Sequence, residues 1–167
     1  MEDLTPEQKI DKAVSGLVRD NILFAMLVTK MEIIPSTRTK TGWTDGKTIG
    51  YNPAFINTLT LGQTKTFLAH EGLHPGLKHH LRRGKRDNLK YNKAGDYVIN
   101  DILTDSDFEA IPDWLLRQEF KNLDTETVYN IVDLEEEQKK EEERKNESHR
   151  HGRSSVVLLP GPLLGRI

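Results

Sequence analysis

The string His70-Glu71-Gly72-Leu73-His74 constrains this chain more than any other stretch. On a helix, residues four apart lie about 40° apart in azimuth and one turn along the axis. Two imidazoles so placed can both reach one tetrahedral ion at roughly 2.0–2.1 Å. Glu71, next to the first of them, can aim at a water on that ion, as a general base must. The chain has no cysteine. Disulfides and thiolate sites are therefore excluded, and a transition-metal site must be built from His with Asp or Glu. That donor set suits zinc and some other divalent ions.

A catalytic zinc needs a third protein ligand and one open position. Two residues compete. His80 stands six residues after His74 and fits the outline HExxHxxxxxH of metzincins, but those proteins carry Gly three residues after the second His. Here Leu77 occupies that place and Gly76 comes one residue early. On a continuous helix His80 would lie on the order of 100° or more from the His70/His74 face and about 9 Å along from His74. Pro75 removes a backbone donor and predicts a kink, which is not a reversal. Asp96 is the preferred ligand. It falls in the first turns of a helix that begins within the segment Tyr91–Asp101, on one face with Asn100, and 22 residues after His74. That interval lets the chain turn and return antiparallel beside the first helix. The alternative role for Asp96 is a helix-start charge that complements the dipole.

The rest of the chain frames these residues. Thr5-Pro6-Glu7-Gln8 is a helix start, and Ile10, Val14, Leu17, Phe24 and Val28 continue it at helical spacing over roughly 6–30. Glu32–Pro35 reads as a short strand. Asp45-Gly46 between β-formers is a hairpin signal, because that turn needs positive φ, and Tyr51-Asn52-Pro53 ends the second strand. Together these predict a small antiparallel sheet. Thr60-Leu61-Gly62-Gln63 opens the helix that carries the histidines, and a further helix is read from about Lys93 to Leu103. Trp114-Leu115-Leu116 is expected to be buried, and Asp124 to cap a last short helix. The resulting class is α+β: a zincin-like mini-domain, mostly helical, with a small antiparallel β-hairpin or sheet, over residues 1–132. Residues 133–167 are read as a charged helix or linker and a disordered tail. EEEQKKEEERK has Glu and Lys or Arg at helical pair spacing. Residues 146–155 are a polar linker. The apolar VVLLPGPLLGRI at 156–167 is a docking segment or a reading-frame scar.

The run AHEGLHPGLKHHLRRGKRDNLKYNKAGDYVINDIL, with Asn92, Ala94, Asp96, Ile99 and Asn100 forming an N-x-A-x-D-x-x-I-N string, resembles a metallopeptidase domain family of bacteria and phages. Asp124–Tyr129 is similar to that family's closing element. The resemblance covers roughly residues 5–132. It implies a zincin-like fold, His70 and His74 as ligands, Glu71 as base, Asp96 as third ligand and one Zn2+ ion. By the same analogy, a von Willebrand factor A-like region is an expected partner. The chain departs from the pattern at Pro75, inside the metal helix.

The expected function is zinc-dependent hydrolysis of amide bonds in a peptide or protein substrate. Tyr97, Tyr91 and Asn100 are candidate oxyanion or substrate contacts, and the strand ending at Tyr51–Pro53 is a candidate to pair with an extended peptide. One rival is a non-catalytic, metal-stabilised scaffold. Another is a nucleic-acid module using the basic run at 78–86, against which stand a solvated helix end and a formal net charge of −2. On a regular helix His79 points nearly opposite His70 and is expected to be exposed. No run approaches the roughly 18 apolar residues that cross a membrane. The acidic start MEDLTPEQ lacks the layout of a secretion signal, so a cytoplasmic location is expected.

Overall fold

The computed structural model of the chain describes residues 4–152. Its elements run α1 (Pro6–Asp20), α2 (Ile22–Val28), β1 (Glu32–Pro35), β2 (Gly42–Thr44), β3 (Thr48–Tyr51), α3 (Pro53–Thr58), α4 (Leu61–Gly76), α5 (His79–Arg82), α6 (Asn88–Asp105), a 3-10 turn at Gln118–Phe120 and α7 (Thr125–Gly152). This is a mostly helical α+β fold with one small sheet. The chain divides between Asn130 and Ile131 into two units. The first holds all the strands and α1–α6. No helix among the described residues is long and apolar enough to cross a membrane.

Side-chain caps set the starts of the main helices. At α1 the Gln8 N–H donates to Thr5 Oγ1 at 3.3 Å while Gln8 Oε1 accepts from Thr5 N–H at 2.9 Å. The same reciprocal pair joins Thr60 and Gln63 at α4, both bonds 3.0 Å. Each such cap satisfies amides that the helix leaves without partners, a gain of about 1 kcal/mol. The single helix expected over 6–30 is broken at Asn21, which sits at φ −139, ψ 60 and ends α1 before α2 begins.

The sheet has the order β1-β3-β2. β2 and β3 form the expected antiparallel hairpin, with Trp43 opposite Gly50. Asp45 Oδ1 accepts from Lys47 N–H and Thr48 N–H at 2.9 and 2.8 Å, and Gly46 takes φ +90 in the turn. β1, however, runs parallel to β3. The connection over 36–41 carries the chain past one strand position, and the hairpin then folds β3 back between β1 and β2. The sheet is thus mixed where an antiparallel one was expected. β3 is its central strand, so the proposed pairing of a peptide with the strand ending at Tyr51 is corrected: both of its edges are taken, and the outer edges belong to β1 and β2. After Tyr51 the chain enters α3, a helix too short to show periodicity. Asn52 caps it by accepting from Ala54 N–H at 3.0 Å, with Pro53 in its first turn.

α4 is the central helix. It packs against α1, α2, α6 and the sheet. Leu17, Val28, Ile49, Ile56, Leu68, Ile99 and Leu103 are buried in the core around it. α4 ends at Gly76. Leu77 N–H still reaches Leu73 O at 2.8 Å, but Lys78 N–H turns to Pro75 O at 3.0 Å, and Lys78 itself is left-handed at φ 57. Asp87 caps α6 through Lys90 N–H at 3.0 Å, so that helix begins at Asn88 rather than near Lys93. α7 runs to Gly152, through the charged run and into the stretch expected as linker. The apolar segment 156–167 lies outside the described residues. Of the expected buried trio, Trp114 and Leu115 are half-buried and Leu116 is exposed.

Candidate metal centre

Packing of α6 against α4 brings three donors to one point. His70 Nε2 and His74 Nε2 lie 3.2 Å apart. Asp96 Oδ1 is 3.4 Å from the first and 3.2 Å from the second. Donors at about 2.0–2.1 Å from a tetrahedral ion are separated by about 3.3 Å, so these three atoms match one face of a zinc-sized tetrahedron. Among the described residues this is the cluster of histidines and acids that can hold an ion. His80, the runner-up ligand, is exposed on α5 and stands outside it.

The surroundings of His70 decide its tautomer. Its Nδ1 is 2.9 Å from Asn100 Oδ1. The Asn100 amide cannot be reversed, because its Nδ2 donates to Leu115 O at 3.0 Å and a carbonyl only accepts. His70 therefore donates from Nδ1 and keeps its Nε2 lone pair for the cluster. His74 Nδ1 faces His79 Nδ1 at 3.1 Å, and His79 Nε2 faces Thr125 Oγ1 at 2.9 Å. His79 is 5% exposed. This corrects the expectation of an exposed His79. That expectation assumed a continuous helix, and the break at Gly76–Lys78 resets the phase and turns the ring inward.

The electrostatics of the cluster favour a cation. Burial raises the Asp96 carboxyl, but hydrogen bonds and charge from His70 and His74 overcome it and hold the group well below the usual carboxylate range. Burial also opposes charge on His70, yet Asp96, Glu71 and Asn100 together hold it above its ordinary value. Glu71 behaves differently. Burial pushes it up against the opposing pull of His70 and His74, and Asp96 pushes it up further. The Glu71 carboxylate makes no hydrogen bond among the described residues, although the residue is only 9% exposed. Its oxygens are not sealed off, since Trp114 Nε1 is the fully buried side-chain polar atom without a partner among the described residues, and Glu71 lines the cleft. A carboxyl in a cleft, perturbed by burial and by specific neighbouring charges, is a candidate for a working group. Burial, with the charges of His74 and Arg82, lowers His79 to about 4, so it is neutral near pH 7.

The cluster opens into a cleft of about 640 Å3, lined on one side by β2 and its turn and by Glu71, His80, Arg83, Asn88 and Asn92. His80, Arg83, Asn88 and Asn92 offer polar groups there; Asn92 was singled out by motif alone, and Arg83 and Asn88 had no sequence signal beyond charge and polarity. Of the three candidate oxyanion contacts, Tyr91 lines the cleft, but its hydroxyl donates to Glu126 at 3.0 Å. Burial and then Glu126 push that hydroxyl up to about 12. Tyr97 does not line the cleft; its ring meets Phe120 edge-on at 4.9 Å. Asn100 sits behind His70 rather than in the opening. The basic run is also partly consumed within the fold. Arg82 pairs with Glu126, Arg86 lies over the rings of Tyr91 and Tyr129, and His79 is buried.

A family model described as "Putative metallopeptidase domain" matches residues 5–158. No curated protein and no solved structure matches the chain.

Proposed function

The chain belongs to this family of metallopeptidase domains, and from that premise we propose that it is a zinc-dependent peptidase with His70, His74 and Asp96 as ligands and Glu71 as general base. One observation carries the reading. Three donors stand at tetrahedral spacing, 3.2–3.4 Å apart, with a buried, donor-free carboxylate beside them on the same helix. A bound Zn2+ ion supplies Lewis acidity, polarising the scissile carbonyl and acidifying water toward a pKa of about 7. The protein's residues do the rest. Glu71 lies one position from His70, so its carboxylate shares the cleft with the cluster. Its raised affinity for protons suits it to take one from the attacking water and return it to the leaving amine. The outer edge of β2 borders the same cleft. An extended peptide laid along Gly42–Thr44 would add a strand there, with main-chain bonds fixing its register. Arg83, His80 and Asn92 remain as donors for the substrate's carbonyls.

Glu71→Gln tests the assignment. Zinc content is expected to stay at the wild-type value, while hydrolysis of a fluorogenic peptide mixture falls by roughly 10²–10⁴-fold. Full turnover by the variant contradicts Glu71 as base. Wild-type protein that holds zinc and cleaves nothing points instead to the metal-stabilised scaffold.

A further inference from the structure

We propose that His79 is a positioning residue for the metal centre: it fixes the tautomer and ring orientation of His74 and is itself held by Thr125. The inference rests on the reading of His74 as a ligand and goes beyond it. A ligating imidazole is oriented through its other nitrogen, and the partner there is normally a carboxylate, a carbonyl or a water. For His70 that partner is Asn100. For His74 it is a second histidine, 3.1 Å away between the two Nδ1 atoms. If His74 Nε2 presents its lone pair to the ion, Nδ1 carries the proton and must donate. His79 Nδ1 must then accept, which leaves the His79 proton on Nε2. That nitrogen faces Thr125 Oγ1 at 2.9 Å, a hydroxyl able to accept it. The protons thus run one way, from His74 to His79 to Thr125, and each atom in the chain has the role its neighbour requires.

Two further observations show that the fold makes room for this ring. A Cβ on Gly95 would stand 2.8 Å from His79 Nδ1 and 2.9 Å from its Cε1, so any larger residue there displaces the imidazole. Gly95 directly precedes Asp96, so the residue that admits the ring is joined to the third ligand. The Tyr91 ring closes another side, its centroid 6.0 Å from that of His79. Thr125, 1% exposed, anchors the far end at the start of α7. Three helices, α5, α6 and α7, therefore meet on one imidazole, which is 5% exposed and borders the cleft beside His74.

The experiment measures Zn2+ affinity by competition with a chromophoric chelator, at constant pH and well below each protein's melting temperature. The full chain is compared with His79→Phe, His79→Asn, Thr125→Val and Gly95→Ala. His79→Phe fills the space without an acceptor and is expected to weaken zinc binding by about 10–100-fold. His79→Asn returns an acceptor near the Nδ1 position and is expected to recover most of that loss. Thr125→Val removes only the hydroxyl and is expected to weaken binding several-fold. Gly95→Ala also discriminates, because helix propensity alone favours Ala; weakened zinc binding in that variant is the opposite of a propensity effect. If His79→Phe does not fold, Thr125→Val and His79→Asn still decide the question. Zinc bound as tightly by His79→Phe and Thr125→Val as by wild type overturns the proposal while leaving the ligand assignment intact. Wild-type protein that binds no zinc overturns both.

Discussion

Asn100 shows how much of the His70/His74/Asp96 cluster is ordered by residues that stand behind it. Its carbonyl oxygen receives the Nδ1 proton of His70, and its amide nitrogen is tied to Leu115 O. Asn100→Leu keeps the volume but removes the acceptor. Zinc affinity is expected to fall by about 10–100-fold, with Asn100→Asp nearer to wild type; equal affinity in all three proteins, by chelator competition, contradicts the role. Much at this scale was legible in the sequence. His70, Glu71 and His74 are related by a single helical period, and Asp96 needed only an antiparallel return of the next helix. Asn100 was visible as a face-mate of Asp96, though its expected place was near substrate. His79 was not legible. Its direction depends on Lys78 adopting a left-handed conformation, which costs a residue with a Cβ roughly 1–2 kcal/mol and is seldom chosen by anything but Gly, Asn or Asp. Nothing local signals that choice. It follows from what the chain gains afterwards, when His79 is buried between α6 and α7.

Among the elements, the junction of α5, α6 and α7 is the most specific. Arg82 of α5 and Tyr91 of α6 both bond the Glu126 carboxylate of α7. Burial raises this carboxyl, but its own backbone amide, Arg82 and Tyr91 outweigh burial and leave it below its ordinary value of 4.5. The folded state thus binds the Glu126 proton less readily than the unfolded chain does. The resulting stability is present above about pH 4.5 and is lost as pH falls through the lower folded value. Glu126→Gln is expected to cost about 1 kcal/mol at pH 7, since Arg82 is partly exposed and the pair is screened. In urea melts at pH 7 and near pH 4 the gap from wild type should narrow on the acid side; an unchanged gap removes the ion pair as its cause. The capped starts of α1 and α4 were readable because a cap is a local arrangement of four residues. β1 was expected as a strand but in an antiparallel sheet, whereas it pairs parallel with β3, because strand direction depends on a crossing over 36–41 that no short window contains. α3 was missed because six residues do not display a period.

For the whole molecule, the fold does one thing that no segment does alone. It holds α6 against α4 so that Asp96 meets two histidines, and it sets the edge of β2 along the same cleft. The long helices α4 and α6 and the hairpin were readable from the sequence, but their meeting depends on the core of Leu17, Val28, Leu68, Ile99 and Leu103 beneath them. The formal net charge is −2, and the basic run is partly spent on internal contacts. The central claim is that this packing creates a site for one divalent ion. Its most direct test is zinc stoichiometry by elemental analysis of the purified full chain after zinc loading and desalting, with His70→Ala and Asp96→Ala in parallel. One ion per wild-type chain, and almost none in either variant, is the expected result. A wild-type chain without zinc, or an Asp96→Ala chain that retains a full equivalent, contradicts it.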